Sequence, residues 1–432
     1  MGKDKKKLGL WEAVSIAVGS MIGAGIFSVL GVGAKIAETN LHIAFILAGF
    51  IAYLVAYSYA KLGSKFVSNA GPIEFIIRGI GNNPITGTLS ILMWLSYVVS
   101  ISLFAKAFAG YFLALFHLQE TKLALGIVEV IVVAIFTALN FFGSKTVGKA
   151  EFFIVLIKLS ILGVFIVFGI WTINPDYIKP VFDAKHIFAT FFAVSVLFLT
   201  YMGFGLVTNA SEDIENPERN VPLAIYISLL VVSLVYVAIA IVALGNLGVT
   251  GLVKAEEYAL AEAAKPFLGQ AGFVLVALGA LFSTASAINA TLYGGANIAY
   301  ALAKKGELPK TFERKVWFGE PEGLYITAGL SIFFVLFFNL ESIASITSFV
   351  FLLIYVFVII SHYRLANETK GSKPLIIFSF IVILMVLFTL LIYQWKTEKA
   401  TFFTSIFIFA AAFIFELFYR SITHRKFKKR KV

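Results

Sequence analysis

Cysteine is absent from the 432 residues, so no disulfide, thiolate metal ligand or cysteine nucleophile is available. That absence fits a reducing compartment. Charge is scarce as well. Asp, Glu, Lys and Arg make up 14% of the chain, where a soluble domain carries about a quarter. Histidine occurs five times, at His42, His117, His186, His362 and His424. All five fall near the ends of apolar stretches or in tails, where an interfacial position is expected rather than a proton-carrying one. No GxxxxGK[ST] stretch occurs, which excludes a phosphate loop of that type and with it ATP as the driving force. His, Asp, Glu and Ser groups inside the apolar stretches are few and scattered, which argues against a membrane-embedded enzyme. No metal and no cofactor are expected.

What is abundant is apolar. Hydrophobic residues make up 60% of the chain, Phe occurs 45 times, and mean hydropathy is +0.93. Such a chain belongs in lipid. Twelve segments of suitable length and apolarity follow one another: 10–36, 41–62, 84–114, 122–142, 149–171, 187–209, 222–245, 271–300, 324–339, 343–363, 374–394 and 400–420. A helix needs about 20 apolar residues to cross a bilayer; barrel strands would be shorter and alternating. The expectation is an all-α membrane protein of twelve transmembrane helices, with segments nine and ten parted only by the turn NLES, 339–342. Loops are short, so residues 1–432 form a single transmembrane domain. KAEEYALAEAAKPF, 254–267, is expected to be a solvated cap, with a surface helix as the alternative.

The net charge of +11 is no nucleic-acid signal, because the basic residues gather at the two ends and in short loops. An even number of spans puts both termini on one side, and that side then holds 25 of the 35 Lys and Arg. By the positive-inside rule it is cytoplasmic, including the basic tail 421–432. The tail HRKFKKRKV and the loop ALAKKGELPK, 301–310, are expected to meet lipid headgroups or to hold topology. SEDIENPE, 211–218, reads as a loop capping the seventh span. The start, MGKDKKKLGLWEAV, imitates a signal peptide. Glu12 interrupts its apolar region, and an uncleaved first span in the cell membrane is expected.

Two apolar segments are weakened by glycine. GSMIGAGIF, 19–27, lies in the first span, and LTYMGFGLVTNA, 199–210, in the sixth. Each glycine costs about 1 kcal/mol against alanine in a helix. Close helix packing through small-xxx-small contacts is one reading, and Gly19 and Gly23 have that spacing. The other is a pair of unwound helices. The breaks lie five spans apart, an odd number that would turn the second set of five upside down, and matched interruptions of this kind point to a transporter's binding site. Unwound backbone at that depth must face a cavity or a ligand. Free N–H groups near Gly23–Phe27, in the stretch Ile22, Gly23, Ala24 and Gly25, then suit a carboxylate. Free carbonyls near Phe198–Met202 suit an ammonium, with Phe198, Leu199, Tyr201, Met202 and Gly203 around them. An α-amino acid carries both groups.

GSMIGAGIF after GLWEAV resembles the first-span signature of the amino acid–polyamine–organocation superfamily. So do FLTYMGFGLVTNASEDIENPERNVPLAI, 198–225, and FSTASAINATLYGGANIAYALAKKGELPK, 282–310. The resemblance covers essentially the whole chain. It implies a leucine-transporter-type fold, in which 10–171 form the first five-helix repeat, 187–363 the inverted second, and 374–420 two extra helices. Many relatives carry an acidic residue after the GF of the sixth span, where this chain has Gly205. Ionic contacts of acid-resistance or polyamine exchangers are therefore not carried over.

EFFIVLIKLSILGVFIVFGIW, 151–171, holds one ionisable residue deep inside, Lys158. A lysine near a span's centre costs about 3 kcal/mol on insertion scales and usually faces the bundle interior for a purpose. Its presence makes the chain most similar to archaeal proton-coupled amino acid transporters. In sodium-coupled relatives a cation sits between spans one and eight. By resemblance the groups there are Gly19 and Ser283, with Ser286 nearby, and the Lys158 ammonium would stand in as a tethered cation. Two alternatives remain: a fixed ion pair with Glu129, or a lysine that only satisfies carbonyls and locks one conformation. The function expected is proton-coupled, sodium-independent amino acid symport, small neutral substrates being hinted at by the uncharged breaks. An amino acid or polyamine exchanger is the alternative, and a channel or passive scaffold would leave matched breaks without a purpose.

Overall fold

The computed structural model describes residues 7–68, 71–140, 147–304, 306, 308–316 and 321–423. His424, the basic run 424–432, and Lys305 and Glu307 of the expected headgroup loop lie outside the described residues. Among the described residues sixteen α-helices follow in order: α1 (Leu10–Ala37), α2 (Leu41–Lys65), α3 (Pro72–Ile80), α4 (Pro84–Leu115), α5 (Lys122–Leu139), α6 (Val147–Gly169), α7 (Ala184–Leu197) and α8 (Leu206–Asn209), then α9 (Pro217–Ala255), α10 (Ala259–Glu262), α11 (Lys265–Lys304), α12 (Glu322–Phe337), α13 (Leu340–Arg364), α14 (Ala366–Thr369), α15 (Lys373–Thr397) and α16 (Lys399–Ile422).

Ten stretches among the described residues are long and apolar enough to cross a membrane. One of them, Leu10–Lys65, contains both α1 and α2, joined by the three-residue turn Glu38–Asn40. α12 is a shorter apolar helix of 16 residues. The long helices keep bulky apolar side chains outward, among them Phe282, Phe388, Phe407 and Phe418, each more than half exposed. A surface so apolar suits lipid rather than water.

Local signals set the helix ends. Asn83 caps α4 by accepting from Thr86 N at 3.1 Å, with Pro84 in the first turn. Asn339, in the short turn between α12 and α13, accepts from Ser342 N at 2.7 Å. Asp183 accepts from His186 N at 2.9 Å, and that hydrogen bond holds its carboxyl below the usual carboxylate range.

Three contacts gather the ends of several described helices. Leu8 pairs with the 213–215 backbone, Ser68 N donates to Ser211 Oγ at 3.0 Å, and Arg420 Nη2 donates to Asn82 Oδ1 at 2.8 Å. Elsewhere, Lys35 meets Glu341 at 2.7 Å and Asn40 Nδ2 donates to Val181 O at 2.8 Å.

Three expectations need correction. The first span is not unwound: α1 runs unbroken through GSMIGAGIF. Its glycines instead permit close packing, as described below. The segment 254–267 is not a solvated cap. Glu256–Tyr258 forms a 3₁₀ turn, α10 follows, and Ala259, Leu260, Ala261, Ala263 and Ala264 are all buried. Those five residues give the segment an apolar face that packs into the bundle, and positive-φ glycines at Gly248 and Gly269 supply the bends on either side. His362 is not interfacial. It is buried with Nδ1 3.0 Å from Ser58 Oγ, because α13 runs on to Arg364 against α2.

Candidate substrate cavity and buried lysine

The two glycine-rich segments meet, but they are built differently. In α1, every N–H from Gly23 to Phe27 lies in the helix interior and is committed to an intrahelical bond, so the expected carboxylate cradle of free N–H groups is not formed here. A Cβ on Gly25 would sit 2.8 Å from Thr200 Cβ and 2.9 Å from Tyr236 Oη. Further along, a Cβ on Gly31 would lie 2.4 Å from the Glu256 carbonyl oxygen. Glycine is what lets these neighbours approach.

The sixth-span segment does depart from the α-helix. Phe198–Gly205 is a 3₁₀ helix of eight residues between α7 and α8. Runs beyond three or four residues are uncommon, since 3₁₀ hydrogen bonds are poorer. Side chains from other helices support its carbonyls. Tyr236 Oη donates to Thr200 O at 3.3 Å and to Met21 O at 2.5 Å, tying the segment to α1. Tyr355 Oη donates to Met202 O at 3.3 Å. Gly203 sits flush on α1, where a Cβ would come 2.7 Å from Met21 N and from Ser20 Oγ.

Between these segments lies a cavity of about 120 Å³. Ser20, Met21 and Gly25 of α1 form one wall, and Leu199, Thr200, Met202, Gly203 and Gly205 another. α4 contributes Met93, Ser96, Tyr97, Ser100, Leu103 and Phe104; Thr291, Thr347 and Tyr355 come from α11 and α13. At one end the cavity reaches Pro72 and Asn209. The other end is packed shut. Tyr111 Oη donates to Phe27 O at 3.1 Å, and a Cβ on Gly110 would lie 2.3 Å from Glu257 Cβ.

Of the residues expected to bind substrate, Gly25, Leu199, Met202 and Gly203 line this cavity. Ile22, Phe198 and Tyr201 do not. Phe198 packs edge-on to Tyr355, and Tyr201 donates to Phe45 O at 2.9 Å. Gly23 and Ala24 lie in the same unbroken helix as Gly25. The sequence reading missed Tyr236 and Tyr355 as supports of the 3₁₀ segment, and the hydroxyls of α4, α11 and α13 as lining. Their signal was weak, since helix-borne Ser and Thr commonly bond their own backbone.

Lys158 is buried, at 2% exposure. A Cβ on Gly279 of α11 would meet Ile161 Cδ1 of α6 at 2.8 Å. α6 and α11 are antiparallel neighbours, so one turn from that contact brings Lys158 level with Ser283. Ser283 Oγ in turn donates to Ile22 O of α1 at 3.3 Å, and Gly19 lies buried one turn earlier on α1. Ser283 thus bridges α11 and α1, and Lys158 lies buried on α6, which packs against both helices. Glu129, weighed as a fixed partner of Lys158, pairs with Lys106 at 3.1 Å. Both members of that pair are held inside the bundle between α4 and α5.

A closed helical bundle with an internal cavity, a glycine-bearing 3₁₀ interruption and a buried amine has the build of a membrane permease. Residues 8–416 match the family described as amino acid permease, and the chain belongs to that family. It is 60% identical to uncharacterized protein MJ0609 of Methanocaldococcus jannaschii, over 99% of this chain and 98% of that protein. It is 36% identical to the inner membrane transport protein YbaT of Escherichia coli, over 90% and 91%. It is also 26% identical to the branched-chain amino acid permease BcaP of Bacillus subtilis, over 72% and 70%. The family lies within the amino acid–polyamine–organocation superfamily, and the chain is a multi-pass membrane protein and amino acid transporter.

Proposed function

We propose that the protein is a proton-coupled, sodium-independent amino acid symporter. It works by alternating access, through twelve spans arranged as two inverted five-helix repeats and two extra helices. Both termini face the cytoplasm, where the positive-inside rule favours them. One observation carries the reading: Lys158 is buried on α6, which packs against α11, whose Ser283 donates to the Ile22 carbonyl of α1. A tethered ammonium there supplies the charge that a bound sodium ion would supply. Burial favours its neutral form and nearby acceptors its charged form, so a change of access to water shifts the balance and moves a proton. The amino acid occupies the cavity between α1 and the 3₁₀ segment, lined at one end by Pro72 and Asn209. The permease name of BcaP supports an amino acid as cargo.

The test is uptake of labelled alanine into proteoliposomes under an inward proton gradient, with sodium omitted and the lumen empty of amino acids. Accumulation above equilibrium is expected. Uptake that requires a preloaded amino acid instead identifies an exchanger, and uptake that requires sodium overturns the role given to Lys158.

A further inference from the structure

Hydroxyl groups crowd the cavity, and most are already committed. Ser96 Oγ donates to Met93 O at 2.6 Å, Thr200 Oγ1 to Leu197 O at 2.9 Å, Thr347 Oγ1 to Ile343 O at 2.7 Å, and Tyr355 Oη to Met202 O at 3.3 Å. Ser100 and Thr291 differ. Both line the cavity, and neither hydroxyl has a hydrogen-bond partner among the described residues; Ser20 of α1 and Tyr59 of α2, on other walls, share that state. The contrast with their own helices is informative. In α4, Thr88, Ser90 and Ser102 bond carbonyls four residues back, and in α11 so does Thr284. That back-bond is the ordinary resting state of a helical hydroxyl. Ser100 and Thr291 forgo it and border open space.

The two hydroxyls also come to the same level. α4 and α11 run antiparallel. Tyr97 meets Gly295, where an added Cβ would lie 3.1 Å from Tyr97 Cβ. At the other end, Gly110 of α4 meets Glu257, one residue from Tyr258, whose ring packs on Phe273 of α11. One turn from the Tyr97–Gly295 contact, in opposite chain directions, brings Ser100 opposite Thr291. Leu103 and Phe104 close the wall beyond them with apolar surface. The space is small. At about 120 Å³ it falls below the roughly 150 Å³ that holds benzene in an engineered apolar cavity, which suits a solute of few heavy atoms.

We propose that Ser100 and Thr291 are specificity-determining residues that select a small hydroxylated amino acid, serine or threonine, over its apolar isostere. The inference rests on the transport reading and refines its substrate. A substrate hydroxyl between the two side chains donates to one and accepts from the other. An isostere with a methyl group there displaces water without replacing its hydrogen bonds, and leaves both protein hydroxyls unmet. A site built to bond a hydroxyl disfavours the analogue that lacks it.

The experiment is competition against labelled alanine uptake in proteoliposomes holding the full chain. Threonine is expected to inhibit at about a tenfold lower concentration than valine. Thr291→Ser keeps that preference, while in the double variant Ser100→Ala, Thr291→Val threonine and valine are expected to compete at similar concentrations, read as a ratio against that variant's own alanine uptake. Equal inhibition by threonine and valine in the unaltered protein, with alanine uptake intact, overturns this inference and leaves the transport reading standing. Absence of uptake of any amino acid overturns the transport reading itself. The threonine-to-valine comparison needs no variant, so misfolding of the double variant does not remove the test.

Discussion

GSMIGAGIF in α1 and FLTYMGFG in the sixth span carry similar glycine content, lie against each other, and end up in different backbone states. The first stays α-helical, whereas the second tightens into eight residues of 3₁₀ helix. Both receive outside hydrogen bonds on their carbonyls. Met21 O and Ile22 O accept from Tyr236 and Ser283, and Thr200 O and Met202 O accept from Tyr236 and Tyr355. A carbonyl has two lone pairs, so an outside donor does not by itself break a helix. What differs is the packing. Gly25 and Gly31 of α1 meet Thr200 and the Glu256 backbone at distances that leave no room for a methyl group, and a regular helix is the shape that fits. In the sixth span, Gly203 must lie flush on α1 while Tyr201 reaches back to α2 and Leu199 and Met202 face the cavity. A tighter helix turns those side chains in those directions. Glycine therefore reports close approach in both segments, and the choice between intact and altered helix is made by the neighbours.

Substitutions graded by the space around each glycine sharpen that contrast. Gly25→Val is expected to act most strongly. Its side chain overlaps Thr200 and Tyr236 from the first carbon, and overpacking costs about 3 kcal/mol. The purified variant should melt far below the parent in detergent and carry no substrate. Tyr236→Phe comes next. It removes the donor shared by α1 and the 3₁₀ segment without altering packing volume, at a cost of about 1 kcal/mol. A modest fall in melting temperature is expected, together with faster hydrogen exchange confined to residues 198–205. Exchange rising equally in α1 would mean the two segments open as one unit. Gly163→Ala is the control. Nothing lies within 4 Å of its added Cβ, so the change should stabilise α6 by about 0.5–1 kcal/mol. A loss of stability there would show that glycine in these helices serves something other than contact.

The bundle was legible because its signals are long-range averages. Stretches of about 20 apolar residues are insensitive to local detail. The sixth-span interruption was legible from Gly203 and Gly205, and Lys158 from its isolation in an apolar run. The state of GSMIGAGIF was not, because packing and unwinding draw on the same residues. The segment 254–267 was misread for a similar reason: its charges, Lys254, Glu256 and Glu257, suggested water, while its alanines fit a tight space beneath them. Glu129 illustrates the limit of reasoning from depth alone. Its level in the membrane overlapped that of Lys158, but Lys106, on the helix beside it, holds it.

The account rests on Lys158 as the group that couples protons to the amino acid. Alanine accumulation in sodium-free proteoliposomes, measured for the parent and for Lys158→Ala across an imposed pH gradient, tests it most directly. The parent should concentrate alanine when the outside is acidic. The variant should bind alanine, seen as a thermal shift in detergent, and show at least about a tenfold loss of gradient-driven uptake, the rate equivalent of about 1.4 kcal/mol of coupling. Uptake by Lys158→Ala that responds to the gradient as the parent does would contradict the central claim.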